Sequence, residues 1–594
     1  MIQPVSIFPA YRKKYARTLG FSDIVDLNPK QTHGLRSGDS AAIEQKLDFS
    51  GGYVDILIKC LEHGYGRVWA GILAFQVVFS PAVLVAGEHE TMMSKEPWFQ
   101  GTVEEAFTKA ANEQKPVFLY WGAVWCPPCN QLKATIFADD QFKSLMTGAV
   151  AVYLDGDTDR AQLWSDKLKV TGYPTILVLR PGKTTGESPQ ELARLDYGLS
   201  IEEFAGTIAE TLTGGMALSN ALSEIQKGQG GLRPWNVVNG IAWSQLDENT
   251  YPPDKRISIL SGLVQKAPNP TVRAQLAASL LGEVLSARSG AGTNLEKSVA
   301  SVKIEAETYL DYLFASAATI WATRNFIVFS ATDTFKLIFD GQERATSGQP
   351  AKKDALIKRW LDAVAVLQAD KRLFVDTWLW SHMPELEFWK IRNGGTAAPA
   401  TLVEKIRRAV ADADKRSVTP YERHAVISGA ASILKDVGDT AGAIVMLQKE
   451  LKQTDTPWYY QSSLASLALS EKKFADAMTF SEQARLSART LRNATRVQWI
   501  VNDVVLLGKI EPLPETKLAA ALEDYYGTVF ALPDGFAGRN GSRAKTVAKE
   551  IKRLTTEKSS QPLQKVISEW RVKCKDSQSP AACHAHFEAV NHGV

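Results

Sequence analysis

One short stretch of the sequence carries most of the structural information: Trp121-Gly-Ala-Val-Trp-Cys-Pro-Pro-Cys-Asn-Gln-Leu-Lys133. At its centre, two prolines separate Cys126 from Cys129. An apolar run, Pro116 to Tyr120, precedes the stretch and predicts a strand, whereas the sequence from Asn130 to Ile136 suits a helix. Cys126 is therefore expected where a strand gives way to a helix. Unpaired backbone N–H groups and the helix dipole at that place favour a thiolate over a thiol.

The two cysteines predict redox chemistry. Cys129 lies about one helical turn after Cys126, where it can attack a mixed disulfide formed at Cys126 and release the partner. The same spacing also occurs in zinc sites. However, no second Cys-x-x-Cys and no Cys/His pair lies at ligand spacing in this part of the sequence, so we expect no metal.

Further features around the cysteines point to a known family. Trp125 directly precedes the motif, Pro128 stands before its second cysteine, and Gly172-Tyr173-Pro174-Thr175 follows later and leads into an apolar run. In these features the chain resembles the thioredoxin family, whose members carry Trp-Cys-x-x-Cys on the first helical turn and a cis-proline loop opposite it. Within roughly residues 98–213 the pattern is most similar to periplasmic thioredoxin-like domains related to thiol-disulfide interchange reductases.

The resemblance implies an α/β thioredoxin fold with a central mixed sheet flanked by helices, and disulfide exchange that needs no cofactor. It implies that Trp125, Tyr173 and Pro174 bind the substrate. Pro127 and Pro128 would then support the active site. Two alternatives stay open: the aromatic residues are ordinary core, and Pro174 is a trans turn proline.

Tyr120 marks a departure from the family pattern. Thioredoxins commonly carry a buried aspartate there, which assists proton transfer to the second cysteine. In this chain either water, the Tyr120 hydroxyl or an acid elsewhere must do this. We place Tyr120 among the residues that support the active site.

The composition excludes several classes of function. A length of 594 residues predicts more than one domain, and 45% hydrophobic with 22% charged residues is ordinary for a globular protein. The 68 basic and 65 acidic side chains nearly balance, which gives no reason to expect a nucleic-acid partner. The sequence has neither a Walker-type glycine loop nor a His-Glu-x-x-His motif.

The N-terminal part of the chain predicts export. Residues 1–64 are unassigned, and residues 65–88 contain an uncharged run, 68–87, that is long enough to span a bilayer and ends in small residues, as signal peptides do. Either translation starts near Leu61 and the run is a signal peptide, or it is a signal anchor after a short cytoplasmic tail. A buried helix of a soluble domain is the alternative. We expect a thioredoxin-like domain at 89–215 in the periplasm or another extracytoplasmic space.

Residues 216–561 predict a large all-α domain with helical repeats. Residues 438–443 recur as 472–477, a period of 34 residues that resembles the tetratricopeptide repeat over roughly 421–486. Such stacks commonly bind a protein, so a client on this surface is one expectation and a purely structural domain is the other. Aromatic residues here, such as those at 458–460, are expected in the core.

The last segment, residues 562–594, predicts a helix and a closed loop. Cys574 and Cys583 flank a short segment with enough chain for a disulfide. His584 and His586 follow directly, so a Cys/His metal site is the alternative. An exported location favours the structural disulfide.

Together these features predict an exported thiol-disulfide oxidoreductase that reacts with protein thiols and disulfides, with the reducing direction favoured. A reductase in an oxidising compartment needs an electron donor, which we expect to be a membrane protein. The alternative is a protein-binding helical scaffold whose thioredoxin-like domain is vestigial or regulatory.

Overall fold

The computed structural model describes residues 97–594 apart from short gaps. The gaps are residues 157, 159–160, 162–163, 165–166, 171, 183–187, 214–215, 288–292, 340–348, 492, 558–559 and 592–594. The segments predicted at 1–64 and 65–88 lie outside the described residues. Within the described part of the chain, no helix has the length and apolar character needed to cross a membrane.

A four-stranded mixed sheet begins the described chain. Its strands are β1 (Val117–Gly122), β2 (Val150–Asp155), β3 (Thr175–Arg180) and β4 (Gln190–Leu195), in the order β2-β1-β3-β4. β1 runs parallel to β2 and antiparallel to β3, which is antiparallel to β4. Every residue of β1 is buried, which explains why the run is apolar without alternation. The predicted mixed sheet is confirmed.

Helices flank this sheet. They are α1 (Val103–Asn112), α2 (Pro127–Ala134), α3 (Asp140–Leu145) and α4 (Ile201–Thr213). Thr102 and Glu105 form a capping box that fixes the start of α1, because each side chain accepts a hydrogen bond from the backbone N–H of the other. Trp98, Phe118 and Phe142 pack together and fill the space between the sheet and α3.

The chain then continues as a long all-helical region. Its helices are α5 (Leu218–Lys227), α6 (Arg233–Asn239), α7 (Pro253–Lys266), α8 (Pro270–Ala287), α9 (Thr293–Leu313), α10 (Ala317–Ala322), α11 (Arg324–Phe329), α12 (Ala331–Phe339), α13 (Gln349–Ala369), α14 (Val375–Trp380), α15 (Met383–Arg392), α16 (Ala400–Arg416), α17 (Pro420–Asp436), α18 (Thr440–Glu450), α19 (Pro457–Ser470), α20 (Phe474–Ser487), α21 (Asn493–Leu507), α22 (Glu515–Phe530), α23 (Gly538–Glu557), α24 (Gln561–Val572) and α25 (Pro580–Asn591). Short 3-10 turns occur at Ile136–Ala138, Met146–Gly148, Trp243–Gln245, Ala488–Thr490 and Lys573–Asp576.

The segment with the 34-residue period consists of two helical pairs. α17 packs on α18, and α19 packs on α20. The turns between the paired helices contain Gly438 and Lys472, which both have positive φ, at +83° and +58°. Ala443 and Ala477 occupy equivalent buried places where small side chains let the helices approach closely. The two pairs therefore share a turn geometry, and their assignment as tetratricopeptide repeats stays a prediction.

The helical region packs directly on the sheet domain. Its helix α17 lies against α2, the helix that carries the two cysteines of the motif. All eleven residues from His424 to Leu434 are buried in α17. A helix that is buried all round needs neighbours on every side, and α17 also packs on α14, α16 and α18.

Candidate functional site

The redox motif, Cys126-Pro127-Pro128-Cys129, lies where β1 ends and α2 begins. Cys126 is the N-cap of α2, and its sulfur accepts a hydrogen bond from the backbone N–H of Cys129 at 3.3 Å. The prolines stand at the first helical positions, where a missing N–H leaves no helical hydrogen bond unmade. The two cysteines form a disulfide with a Cα–Cα distance of 5.2 Å.

Asn130 fixes the loop before the motif. Its fully buried amide donates hydrogen bonds to the carbonyl oxygens of Val124 at 2.8 Å and Cys126 at 3.1 Å. The side chain thereby ties α2 to the end of the strand and holds Cys126 at the helix terminus. Asn130 is missing from the predicted site residues, because asparagine after a Cys-x-x-Cys motif has no distinctive sequence signal.

The loop before β3 lies at the same end of the sheet as the motif. The Tyr173–Pro174 peptide bond is cis, the geometry that the resemblance predicts. The Tyr173 hydroxyl donates a hydrogen bond to the carbonyl oxygen of Gly156 at 2.6 Å. The ring of Tyr173 meets that of Trp125 edge to face, with the centroids 6.0 Å apart. The structure therefore brings Trp125 and Tyr173 together beside the redox motif.

Aromatic side chains of the helical region cover this site. The ring of Trp125 lies 6.5 Å from that of Tyr459 on α19 and 5.9 Å from that of Trp499 on α21. We call Tyr459 and Trp499 the aromatic cover. Only 3% of Cys126 and none of Cys129 is exposed to solvent. The redox motif is therefore buried between the sheet domain and the helical region.

The comparison with known families agrees with this geometry. Residues 98–181, which contain the redox motif and the cis-proline loop, match the family model described as thioredoxin-like. This domain is thioredoxin-like. The match ends within the sheet domain, and the chain continues as the all-helical region fused to it. No curated protein matches the chain.

Tyr120 of the thioredoxin-like domain lies in β1, the strand that leads into the redox motif. Its ring is fully buried, stacks on Tyr153 of β2 at 5.4 Å and meets Phe137 edge to face at 4.7 Å. Burial raises the pKa of the Tyr120 hydroxyl well above its usual 10, and the nearby carboxylate of Asp155 adds to the effect. Tyr120 is therefore neutral at physiological pH and does not accept a proton there.

Lys133 adds a charge that the predicted site residues do not include. Its side chain is fully buried, and its Nζ atom lies 5.6 Å from the ring centre of Tyr153 and 5.7 Å from that of Tyr421. Burial lowers the pKa of Lys133 to about 7, although the carboxylates of Asp155 and Asp455 act against this. The sequence signal was a lysine four residues after Cys129, which places both side chains on the same face of α2.

The helical region contributes polar groups to the same place. His424 of α17 has its Nε2 atom 3.3 Å from Asp455 and 3.3 Å from the Thr454 hydroxyl. Burial lowers the pKa of His424, whereas Asp455 opposes this effect. The space between the two regions thus contains a buried lysine, a buried histidine and partly exposed carboxylates rather than apolar side chains alone.

The remaining predicted residues lie at the other end of the chain. Cys574 and Cys583 form a disulfide with a Cα–Cα distance of 5.6 Å, and both are fully buried. They belong to a core that includes residues of α22 and α23, far along the chain from the redox motif. Among the described residues, no group of three or more His, Cys, Asp or Glu side chains is arranged to hold a metal ion.

Proposed function

We propose that this protein is a thiol-disulfide oxidoreductase that exchanges disulfides with protein partners through Cys126 and Cys129. The observation that carries the proposal is the position of Cys126 as N-cap of α2, where its sulfur already accepts a backbone N–H. The same interaction stabilises a thiolate once the disulfide is opened. The thioredoxin-like match over residues 98–181 supports the same reaction class.

In the reducing direction, the Cys126 thiolate attacks one sulfur of a partner disulfide. One partner sulfur leaves as a thiolate, and the other is held in a mixed disulfide with Cys126. Cys129 then attacks Cys126, the mixed disulfide breaks, and the partner leaves with both electrons. The protein ends as the Cys126–Cys129 disulfide and must be reduced again.

The resemblance to interchange reductases and the presence of Pro128 favour the reducing direction. A membrane protein would then return electrons to the motif, and the protein would act in the periplasm or another extracytoplasmic space. The cis-proline loop at Pro174 would hold the partner backbone beside Cys126. Such a partner needs access to Cys126, so the contact between Trp125 and the aromatic cover has to open first.

The burial of the motif favours a second candidate function. If the aromatic cover never opens, the helical region is the working part and binds a protein client along its paired helices. The thioredoxin-like domain would then be vestigial or regulatory.

The reduction potential of the full chain separates these candidates. We would equilibrate the Cys126–Cys129 pair in glutathione or dithiothreitol mixtures and quantify the reduced fraction. A potential near about −270 mV supports a reductase that depends on a donor. A potential near about −120 mV supports an oxidase and reverses the proposed direction. A motif that does not cycle at all overturns the enzyme and supports the scaffold.

A further inference from the structure

Lys133 occupies an unusual place for a lysine. It follows Cys129 by four residues on α2, so both side chains lie on one face of the helix, a turn apart. Helical side chains lean toward the N-terminus, which directs Lys133 toward the redox motif. Its Nζ atom is buried and has no hydrogen-bond partner among the described residues while the motif is oxidised.

The groups around Lys133 come from both parts of the protein. In the thioredoxin-like domain these are Tyr153 and Asp155 of β2. In the helical region they are Tyr421 of α17 and Asp455, just before α19. The two aromatic rings and the two carboxylates favour the ammonium form, and the loss of water favours the amine.

Two further titratable groups face this space. His424 of α17 interacts electrostatically with Lys133 and is itself buried. Tyr120 of β1 stacks on Tyr153 and interacts with Asp155 and Tyr421. Its hydroxyl stays protonated, because burial raises its pKa well above the usual range. Both the amine and the ammonium form of Lys133 are therefore accessible near neutral pH.

We propose that Lys133 takes up the proton of the Cys129 thiol when Cys129 resolves a mixed disulfide, a role that rests on the proposed oxidoreductase function. The chain thereby uses a lysine of α2 where related domains use an acid in the strand. When the disulfide opens, the sulfur of Cys129 becomes free. Lys133 lies one helical turn from Cys129 and acts on this sulfur.

The step balances without a further reactant. The neutral amine of Lys133 accepts the proton of the Cys129 thiol and becomes an ammonium. The Cys129 thiolate attacks the Cys126 sulfur, and the bond between Cys126 and the partner sulfur breaks. The partner sulfur leaves with the electron pair as a thiolate. The partner disulfide is the oxidant, and the ammonium returns its proton to the leaving thiolate or to water.

The test is a pH titration of the Cys129 thiolate in the full chain. The parent for this titration carries Cys60→Ser and Cys126→Ser, which leaves Cys129 as the thiol of the motif and removes the one in the N-terminal segment. Ultraviolet absorbance of the thiolate is recorded against pH. The same chain with Cys129→Ser supplies the background from tyrosines. Lys133→Met and Lys133→Gln remove the charge, and Lys133→Arg keeps a cation of similar length.

We expect Lys133→Met and Lys133→Gln to move the thiolate midpoint up by at least one pH unit, which means that the ratio of thiolate to thiol at a fixed pH falls about tenfold. Lys133→Arg should retain the low midpoint through its positive charge. Because arginine cannot accept a proton, the same substitution in the chain with an intact Cys126 should slow the release of a partner held in a mixed disulfide at Cys126, and an unchanged release rate overturns proton uptake by Lys133. An unchanged midpoint in both neutral variants overturns the inference, and so does an equal rise in all three variants, which indicates altered packing. Two neutral variants are included so that the test can still be read if one of them fails to fold.

The unmodified protein, in which both cysteines of the motif are present, separates this inference from the function on which it rests. If that protein fails to cycle between disulfide and dithiol in glutathione, the oxidoreductase proposal fails, whatever the titration gives. If it cycles and the titration shows no dependence on Lys133, only the role of Lys133 fails.

Discussion

At the scale of single residues, the proposed role of Lys133 requires a buried lysine, and burying a lysine lowers the stability of the fold. Burying a lysine without a hydrogen-bond partner removes it from water, and the two flanking tyrosine rings replace only part of that hydration. The depression of its pKa from 10.5 to about 7 corresponds to roughly 5 kcal/mol of lost stability when the group is charged. Such a cost is typical of a group kept for its chemistry.

Lys133→Met in the oxidised chain should therefore raise the free energy of unfolding at pH 6–7 by about 2–4 kcal/mol, because it replaces a buried amine with an apolar side chain of similar length. The sign follows from proton binding. Between about pH 7 and 10.5 the unfolded chain binds more protons at Lys133 than the folded chain, so the stability of the parent rises with pH across this window. The variant should lack this rise.

Guanidinium unfolding at pH 6 and pH 9 measures both effects. Lys227→Met, at an exposed position on α5, is the matched control and should change neither quantity. A Lys133→Met protein that is less stable than its parent at pH 6 would contradict a net cost of burying this lysine.

At the scale of elements, much of the thioredoxin-like domain could be predicted because its signals are local. The apolar run before the motif, the two cysteines and Tyr173-Pro174 each report on a few neighbouring residues, and β1, α2 and the cis bond lie where these signals place them. Asn130 and Lys133 could not be assigned from the sequence. Their roles depend on burial and on partners that other elements bring to them.

The equivalent turns of the two helical pairs give a test at the same scale. Gly438 and Lys472 both have a left-handed backbone, which glycine adopts freely and lysine does not. No atom lies within 4 Å of a Cβ placed at Gly438, so the cost of a side chain there comes from the backbone alone. Lys472→Gly should stabilise the chain by about 0.5–1 kcal/mol, and Gly438→Lys should destabilise it by about 1 kcal/mol.

Denaturant midpoints of the two variants, measured side by side, check this prediction, and each substitution serves as the control for the other. Two shifts of the same sign would show that the turns are not equivalent.

The C-terminal disulfide allows a further prediction about an element. Cys574 and Cys583 are nine residues apart, and a loop of that length contributes about 2–3 kcal/mol by constraining the unfolded chain. Cys574→Ala with Cys583→Ala should lower the free energy of unfolding by about this amount. His584→Ala should leave it unchanged, because the side chain is exposed. A double variant as stable as the unmodified protein would contradict this contribution of the disulfide.

At the scale of the whole molecule, the contact between the two regions could not be predicted from the sequence. Periodicity predicts that aromatic residues such as Tyr459 are buried, but it does not identify the residues on which they pack. The structure shows that the partner of Tyr459 and Trp499 is Trp125, the residue that precedes the redox motif. Residues from a different region of the chain therefore pack beside the redox motif.

Trp499→Ala should expose Cys126. Losing a buried tryptophan removes an aromatic contact and leaves a cavity beside Trp125, which together cost about 3–5 kcal/mol. If about 1.4 kcal/mol of this loss lowers the free energy of opening the aromatic cover, the open state becomes ten times more populated. Reduced Cys126 should then react at least tenfold faster with a bulky maleimide. The measurement uses the full chain with Cys60→Ser and a reduced motif.

Trp360→Ala is the matched control, because Trp360 is equally buried in the helical region and packs on Phe314, Phe326 and Phe388. It should leave the maleimide rate near that of the parent. Equal acceleration by both variants would mean that the probe reports general loosening, and a parent that already reacts as fast as the unfolded chain would mean that the cover does not restrict access. Selective acceleration by Trp499→Ala would show that the helical region controls when the redox motif meets its partner.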